Sequence, residues 1–198
     1  MSKEMIRIAN CSGFYGDKLS IAKEMVEGGP IDVLTGDYLA ELTMTILYNQ
    51  KMKRGEEHGY VGTFIKQFRD VAKSSQDKNI KIVTNAGGLN PKSMAQEIEK
   101  VVDELNLDLK VSYIDGDNLI PEMEKLTKLG EKFSNLDKNI DLKDYSKKAI
   151  TANAYLGAWG IKEALDNGAD VVVCPRVTDA AVVIGPAAWK FNWSRDQY

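Results

Sequence analysis

Two acidic residues stand four positions apart directly after a short apolar run. The segment GDYLAE places Asp37 and Glu41 one turn apart at the start of a predicted helix. Two carboxylates held close together can acquire different pKa values, as a general acid/base pair or a divalent-metal site requires. The alternative is that Asp37 caps the helix and Glu41 belongs to its solvated face. On either view the helix is predicted to present a polar face with Thr45 and Tyr48, opposite Leu39, Leu42 and Ile46.

A glycine-rich segment, TNAGGLNP, joins another apolar run to a stretch with helical spacing. Gly87 and Gly88 allow a sharp turn with exposed N–H groups, Asn90 suits an N-cap, and Pro91 suits the first helical turn. Free N–H groups and the helix dipole favour a phosphate or carboxylate at such a place, so these residues and Asn85 are candidate ligand-binding residues. A tight strand-to-helix turn without a ligand fits the segment equally well.

A basic residue, Arg176, follows the apolar run at residues 170–173. Its guanidinium group could hold a carboxylate or phosphate through two hydrogen bonds, and Asp179 could orient it or cap the next helix. We favour a functional role for Arg176, because a purely solvated charge has no need to lie just beyond a buried strand.

Two aspartates, Asp115 and Asp117, flank Gly116 after a further apolar run. Their spacing serves a turn, and it also presents oxygen ligands to Mg²⁺ or another divalent cation. The turn is the simpler interpretation, and the metal site is the alternative that would carry chemistry.

Two further candidates, Asn153 and Tyr155, lie in the segment TANAYLGAW, which the spacing places at a helix start. Either side chain could hydrogen-bond a ligand. The alternative is that Asn153 caps the helix and Tyr155 packs in the core.

The loop CSGFYGD, which begins at Cys11, matches the last two glycines of the dinucleotide fingerprint but lacks the first. Ser12 and Gly13 are therefore candidate ligand-binding residues. An acid about twenty residues further on, Asp32 or Asp37, completes the pattern and leaves a nicotinamide-dependent oxidoreductase open as an alternative.

The elements that must position these residues follow from the hydrophobic pattern. Short apolar runs rich in β-branched residues predict buried strands at residues 5–9, 31–34, 80–83, 109–114 and 170–173. Helical segments lie between them, most clearly the stripe of Met94, Ile98, Val101, Val102 and Leu105. This alternation predicts an α/β fold with a mostly parallel, doubly wound, Rossmann-like sheet and helices on both faces. In such sheets the ligand crevice lies at the carboxyl ends of the strands, where the candidate residues fall.

We expect residues 1–198 to form a single α/β domain. A stripe of apolar residues predicts a helix over residues 153–167, ended by Gly168. The Gly185-Pro186 pair is expected to split a later helix into two pieces. Residues 121–148 are rich in Lys, Asp, Glu and Asn, which predicts a charged surface excursion or a lid.

Composition excludes several classes of function. The 198 residues carry a formal net charge of −3, which provides no general field to attract nucleic acid. No signal peptide or membrane-spanning apolar stretch is recognisable, so we expect a cytoplasmic protein that does not enter a membrane. Two cysteines and one histidine cannot supply a Cys/His zinc site, and both cysteines are expected to be structural thiols.

Four segments taken together, GDYLAE, TNAGGLNP, ANAYLGA and RVTD, resemble the acyclic terpene utilisation AtuA family. They occur in the same order as in that family, and the resemblance covers essentially the whole chain. It implies a cytoplasmic bacterial protein that takes part in catabolism of acyl-CoA or small organic acids, including acyclic terpenoids. It does not assign catalytic residues, so the candidates above rest on their own chemistry.

The chain departs from the family pattern at two positions and at its carboxyl end. The family usually has a small residue at the position of Cys11 and glycine at the position of Pro175, which weakens the case for a catalytic Cys11. Relatives continue into a glycine-rich second part, so the chain resembles an amino-terminal portion. Either the chain is a part of a longer protein, or a companion polypeptide completes the domain. For partners we expect a homo-oligomer or such a companion polypeptide.

Three functions remain open from the sequence. The first is an enzyme, or an enzyme subunit, that acts on an acyl-CoA or small carboxylate by lyase- or hydratase-like acid/base chemistry. In it Gly87, Gly88 and Arg176 hold the anion while Asp37 and Glu41 transfer protons. A divalent cation at the two aspartates near Gly116 is an optional part of this hypothesis. The second is the nicotinamide-dependent oxidoreductase, and the third is a non-catalytic subunit that binds a ligand or a partner chain.

Overall fold

Five short parallel strands form one sheet in the computed structural model, which describes residues 5–145 and 148–197. The strand order across the sheet is β1-β2-β3-β5-β4. The strands are β1 (Ile8–Asn10), β2 (Val33–Gly36), β3 (Lys81–Thr84), β4 (Val111–Tyr113) and β5 (Val171–Val173). All five predicted strands are confirmed, displaced by up to three residues, and the predicted α/β class is correct.

Helices cover both faces of this sheet. Within the described residues they are α1 (Ile21–Gly28), α2 (Glu41–Arg54), α3 (Gly62–Asp77), α4 (Pro91–Glu104), α5 (Met123–Lys128), α6 (Trp159–Asp166) and α7 (Ala181–Lys190). Helices α1 to α4 pack on one face of the sheet, where Leu34 and Ile82 are buried. Helices α6 and α7 pack on the other face, against Val83 and Val172. The alternation of buried side chains along each strand therefore supplies two cores.

Helix α4 begins where the sequence predicts. Pro91 is its first residue, and the Asn90 side chain accepts a hydrogen bond from the Ser93 N–H at 3.2 Å. Asn90 thereby satisfies one of the free N–H groups at the helix start.

The prediction of a helix over residues 153–167 is wrong in its first turn and a half, because α6 begins only at Trp159. Two residues before it, Asn153 and Leu156, form isolated bridges with neighbouring loops. The Leu156 N–H donates to the Arg176 carbonyl at 3.2 Å, and the Thr178 N–H donates to the Leu156 carbonyl at 2.9 Å. The local sequence is compatible with a helix here, but the backbone groups of this segment bond to another loop instead of to each other.

The predicted break at Gly185-Pro186 is also wrong, because α7 runs through Pro186 without interruption. Close packing against α6 explains why. A Cβ atom on Gly185 would lie 2.5 Å from Cγ2 of Ile161, so the absence of a side chain lets the two helices approach closely. The buried contact outweighs the loss of one helical hydrogen bond at Pro186.

The charged segment at residues 121–148 contains a 3-10 turn at its start (Ile120–Glu122), helix α5 and a second 3-10 turn (Leu142–Asp144). Its described side chains are mostly exposed. Backbone pairing joins the two ends of this segment and forms its base. Asn118 makes an antiparallel bridge with Asn153, and the Leu119 N–H donates to the Ala152 carbonyl at 2.7 Å. In the described part of the chain, no helix has the length and apolar character needed to cross a membrane.

Candidate active site

The loops that follow the strands bring several predicted residues to the carboxyl edge of the sheet. Asp37 follows β2, Asn85 follows β3, Asp117 follows β4 and Arg176 follows β5. Because all the strands are parallel, these loops meet at one edge. The hydrogen bonds described below join them into two connected groups.

Asp37 is held by Asn85 from the neighbouring loop. The Asn85 Nδ2 group donates to Oδ1 of Asp37, and the Asn85 Oδ1 accepts the Tyr38 N–H at 2.7 Å. Asn85 is fully buried, so its amide has one orientation in which both bonds form. Burial raises the pKa of Asp37 above its ordinary value, and the charge of Asp179 adds to the rise while Asn85 and Arg176 oppose it.

The predicted helical relationship between Asp37 and Glu41 is wrong. Helix α2 begins at Glu41, and Ala40 before it is extended, so Asp37 lies outside the helix and does not cap it. The buried face of α2 is formed by Thr43, Met44 and Leu47, whereas Leu42 is 71% exposed. The predicted helix phase was therefore displaced, because the apolar Leu42 was assigned to the core.

Arg176 is the central cation of the site and is only 5% exposed. Its Nη1 group donates to the Leu39 carbonyl at 2.8 Å, and its Nη2 group donates to Oδ1 of Asp179 at 3.1 Å. Its guanidinium carbon lies 4.0 Å from the centre of the Tyr155 ring. The buried Nε atom has no hydrogen-bond partner among the described residues. These contacts fix the plane of the guanidinium group.

Tyr155 connects Arg176 to Glu41. The Tyr155 hydroxyl donates to Oε1 of Glu41, and this bond lowers the pKa of the Glu41 carboxyl. The same bond is the main cause that raises the pKa of Tyr155. The predicted site residues Glu41, Tyr155, Arg176 and Asp179 are thus brought together by direct contacts.

The two aspartates near Gly116 have different environments. Asp115 is exposed, whereas Asp117 is buried and accepts hydrogen bonds on Oδ2 from Asn153 Nδ2 at 2.7 Å and from the Arg176 N–H at 3.2 Å. Burial raises the pKa of Asp117. Among the described side chains, no group of three or more His, Cys, Asp and Glu residues could hold a metal ion.

The glycine-rich turn packs inside the protein. Gly88 has a φ of +54°, and a Cβ atom there would lie 2.4 Å from Cδ1 of Leu47. A Cβ atom on Gly87 would lie 2.5 Å from the Cys174 carbonyl oxygen. The N–H groups of Gly88, Leu89 and Asn90 donate to carbonyl groups within the chain. Close packing therefore explains why glycine is needed at both positions. The three N–H groups are already used in hydrogen bonds within the protein.

In the loop after β1, the carboxylate of Asp17 binds backbone N–H groups of the same loop. Oδ2 of Asp17 accepts the N–H groups of Gly13 at 2.7 Å and Phe14 at 3.2 Å, and it lies 3.4 Å from the Ser12 hydroxyl. Helix α1 begins only at Ile21. The carboxylate of Asp17 thus occupies the backbone N–H groups that a phosphate would use in a dinucleotide site.

A cleft of about 260 Å³ opens beside this network. Its walls are Glu41, Met44, Thr45, Thr151, Asn153, Tyr155 and Arg176. Polar groups on three separate segments therefore face one volume, as a small-molecule site requires.

Sequence reasoning missed two contributors to this site. The Leu39 carbonyl accepts a hydrogen bond from the Arg176 guanidinium group, and Thr151 forms part of the cleft wall. A backbone carbonyl is present in every residue, so the sequence gives no sign of its role. Thr151 can be assigned to the cleft only when the bridge between Asn118 and Asn153 is known.

Both cysteines are free and buried. Burial raises the pKa of Cys11 to about 11 and also raises that of Cys174. Neither thiol is poised to form the thiolate that nucleophilic catalysis requires.

No curated protein and no solved structure matches the chain. The family model described as acyclic terpene utilisation family protein AtuA matches residues 6–198. The chain therefore belongs to the acyclic terpene utilisation AtuA family.

Proposed function

We propose that this protein is a catabolic enzyme, or an enzyme subunit, that acts on an acyl-CoA or small carboxylate by lyase- or hydratase-like acid/base chemistry. Its family membership connects it with acyclic terpene utilisation. The observation that carries the proposal is geometric: Arg176 Nη1 donates to the carbonyl group of Leu39, two residues after Asp37, at 2.8 Å, so the cation lies beside the loop that bears Asp37.

Asp37 is the proposed proton-transfer group. Its raised pKa brings the carboxyl closer to the pH at which it can both accept and donate a proton. The hydrogen bond from Asn85 fixes the carboxyl on one side. In this proposal Asp37 takes a proton from the carbon next to the carbonyl group, or delivers one to it.

Arg176 is the proposed carbonyl-binding group. Contacts with Leu39, Asp179 and Tyr155 hold the guanidinium in place before a ligand arrives, so little ordering is needed on binding. Negative charge that develops on a carbonyl oxygen during proton abstraction would be stabilised there.

The charges of the site favour a neutral carbonyl over a free carboxylate. The Asp179 carboxylate forms an ion pair with Arg176, and the carboxyl groups of Asp37 and Glu41 also interact electrostatically with this cation. A ligand carboxylate would meet repulsion from these acids. A thioester carbonyl, which is polar but uncharged, avoids that repulsion, so an acyl-CoA is the preferred substrate class.

Isothermal titration calorimetry with hexanoyl-CoA, hexanoate and NADH tests the proposal. We expect saturable binding of hexanoyl-CoA and weaker binding of hexanoate. Arg176→Lys should weaken the binding of hexanoyl-CoA by about tenfold to a hundredfold, because lysine cannot replace the planar group. Arg69→Lys is the matched control, since Arg69 is exposed and pairs with Glu104 away from the site.

The alternatives give different results in the same titrations. Binding of NADH alone would favour the nicotinamide-dependent oxidoreductase, although Asp17 already occupies the N–H groups of its loop. Binding of hexanoyl-CoA without the proton exchange described in the Discussion would favour a non-catalytic binding subunit. No binding of either acyl compound would overturn the proposal.

A further inference from the structure

A second compartment extends the cleft along helix α2. Its volume is about 180 Å³, and it is lined by Tyr48, Lys51, Met52, Glu56, Leu89, Asn118, Ile120, Ile150 and Thr151. Thr151 lines both compartments. Helix α2 forms a shared wall, with Thr45 in the first compartment and Tyr48 in the second. The two volumes therefore lie side by side between α2 and the base of the segment at residues 121–148, and together they are termed the groove.

The two ends of this groove differ in chemistry. The first compartment holds Arg176, Glu41 and Asn153, whereas the second gathers four apolar side chains, those of Met52, Leu89, Ile120 and Ile150. Three of the four are substantially exposed: Met52 by 65%, Ile150 by 44% and Ile120 by 38%. Apolar side chains that are exposed around one concave surface mark a binding site more often than scattered ones do.

We infer that the second compartment binds the hydrocarbon tail of an acyl thioester whose carbonyl group lies at Arg176. This inference rests on the proposed function and adds a substrate class to it, namely acyl groups with an extended apolar tail. The occupant follows from the position of the second compartment, because an acyl group whose carbonyl lies at Arg176 can reach the apolar side chains next to it along α2.

The groove also has a defined reach. Thr45 and Met52 are seven residues apart on one helix, which corresponds to about 10 Å along its axis. An ion pair between Lys51 Nζ and Oε2 of Glu56, 2.8 Å apart, adds polar groups to the lining of the second compartment. A tail that extends past this pair loses apolar contact, so affinity should stop rising with chain length.

Titration of the wild-type chain with straight-chain acyl-CoA compounds from acetyl-CoA to dodecanoyl-CoA tests the inference. Each buried methylene should raise affinity by about fourfold until the compartment is full. Affinity should then level off, because further methylenes lie in solvent.

Filling the compartment supplies the complementary test. Ile150→Trp should abolish the gain with chain length and leave the affinity for acetyl-CoA within about twofold. Leu136→Trp is the matched control, since Leu136 is 99% exposed and does not line the groove. Melting temperatures of both variants establish that they fold, and Met52→Trp provides a second way to fill the same volume.

The outcomes separate this inference from the proposed function. Equal affinity for all chain lengths in the wild-type chain, or an equal effect of Leu136→Trp and Ile150→Trp, would overturn the tail compartment and leave the carbonyl site standing. Failure of every acyl-CoA to bind would overturn both.

Discussion

The guanidinium carbon of Arg176 lies 4.0 Å from the centre of the Tyr155 ring, although the two residues are far apart in the chain. The extended segment before α6 makes this possible, because Leu156 pairs with Val177 in a parallel bridge. The ring covers one face of the cation while its hydroxyl group binds Glu41. Tyr155 therefore positions the cation of the site as well as one of its acids.

We expect the ring of Tyr155 to matter more than its hydroxyl group. Tyr155→Ala should weaken hexanoyl-CoA binding by about tenfold, because a partly desolvated cation–π contact contributes about 1–2 kcal/mol. Tyr155→Phe keeps the ring and should change affinity by less than about threefold. Tyr145→Ala, an exposed tyrosine outside the cleft, is the calorimetric control. Equal losses in the Phe and Ala variants would show that the hydroxyl bond to Glu41 is the important contact.

Asp37→Asn tests the proposed proton transfer. In deuterium oxide, the wild-type chain should exchange hydrogen at the carbon next to the thioester carbonyl of hexanoyl-CoA, which mass spectrometry detects. The variant should lower that rate by about 10²- to 10⁴-fold, because the amide cannot transfer the proton. Affinity and melting temperature should change little.

The control for this experiment is Asp32→Asn. Asp32 forms an ion pair with Arg7 at the amino ends of the strands, opposite the candidate site. If exchange in Asp37→Asn matched that of the wild-type chain, Asp37 would have no part in proton transfer. A large fall in melting temperature with unchanged exchange would make it a structural residue.

Strands and their loops were predictable because their signals are local. Buried β-branched runs mark each strand, and parallel pairing places the following loops at one edge, which brought Asp37 and Arg176 to the same region before any coordinates were known. Asn90 and Pro91 likewise mark the start of α4 through local capping chemistry.

Long-range pairing explains what the sequence did not predict. Residues 153–158 have helical spacing, yet they form bridges with Asn118 and Val177 that no local pattern reveals. The phase of α2 depends on whether Leu42 faces the core or the surface, and an apolar side chain alone does not decide this. The sequence predicts a turn or a metal ligand at Asp117, whereas its observed hydrogen-bond partners, Asn153 and Arg176, are both distant in sequence.

Gly88→Ala tests whether the glycine-rich turn is fixed by packing. A left-handed conformation and a Cβ atom 2.4 Å from Cδ1 of Leu47 should together lower the free energy of unfolding by about 3 kcal/mol. Gly28→Ala is the control, because a Cβ atom there has no described atom within 4 Å, and it should not destabilise the protein. Chemical denaturation measures both. A variant as stable as the wild-type chain would instead free Gly88 for a ligand-binding role.

Asp117 predicts a particular pH dependence of stability. Burial raises its pKa in the folded protein above the ordinary value of 3.8. Between these two pKa values the folded state binds more protons than the unfolded state, so stability falls as pH rises through this window and is constant above it. Each unit of difference corresponds to about 1.4 kcal/mol.

Asp117→Asn removes the titrating group. In the wild-type chain one carboxylate oxygen accepts hydrogen bonds from both Asn153 Nδ2 and the Arg176 N–H, and the amide oxygen of the variant can accept both. The new NH₂ group changes absolute stability, so the informative quantity is the difference in unfolding free energy between the variant and the wild-type chain across pH 3.5–7. That difference should shift in favour of the variant as pH rises. Asp115→Asn, at the exposed neighbouring aspartate, provides the control. A difference that stays constant with pH, or that shifts in favour of the wild-type chain, would mean that hydrogen bonds stabilise the Asp117 carboxylate at least as much as burial destabilises it.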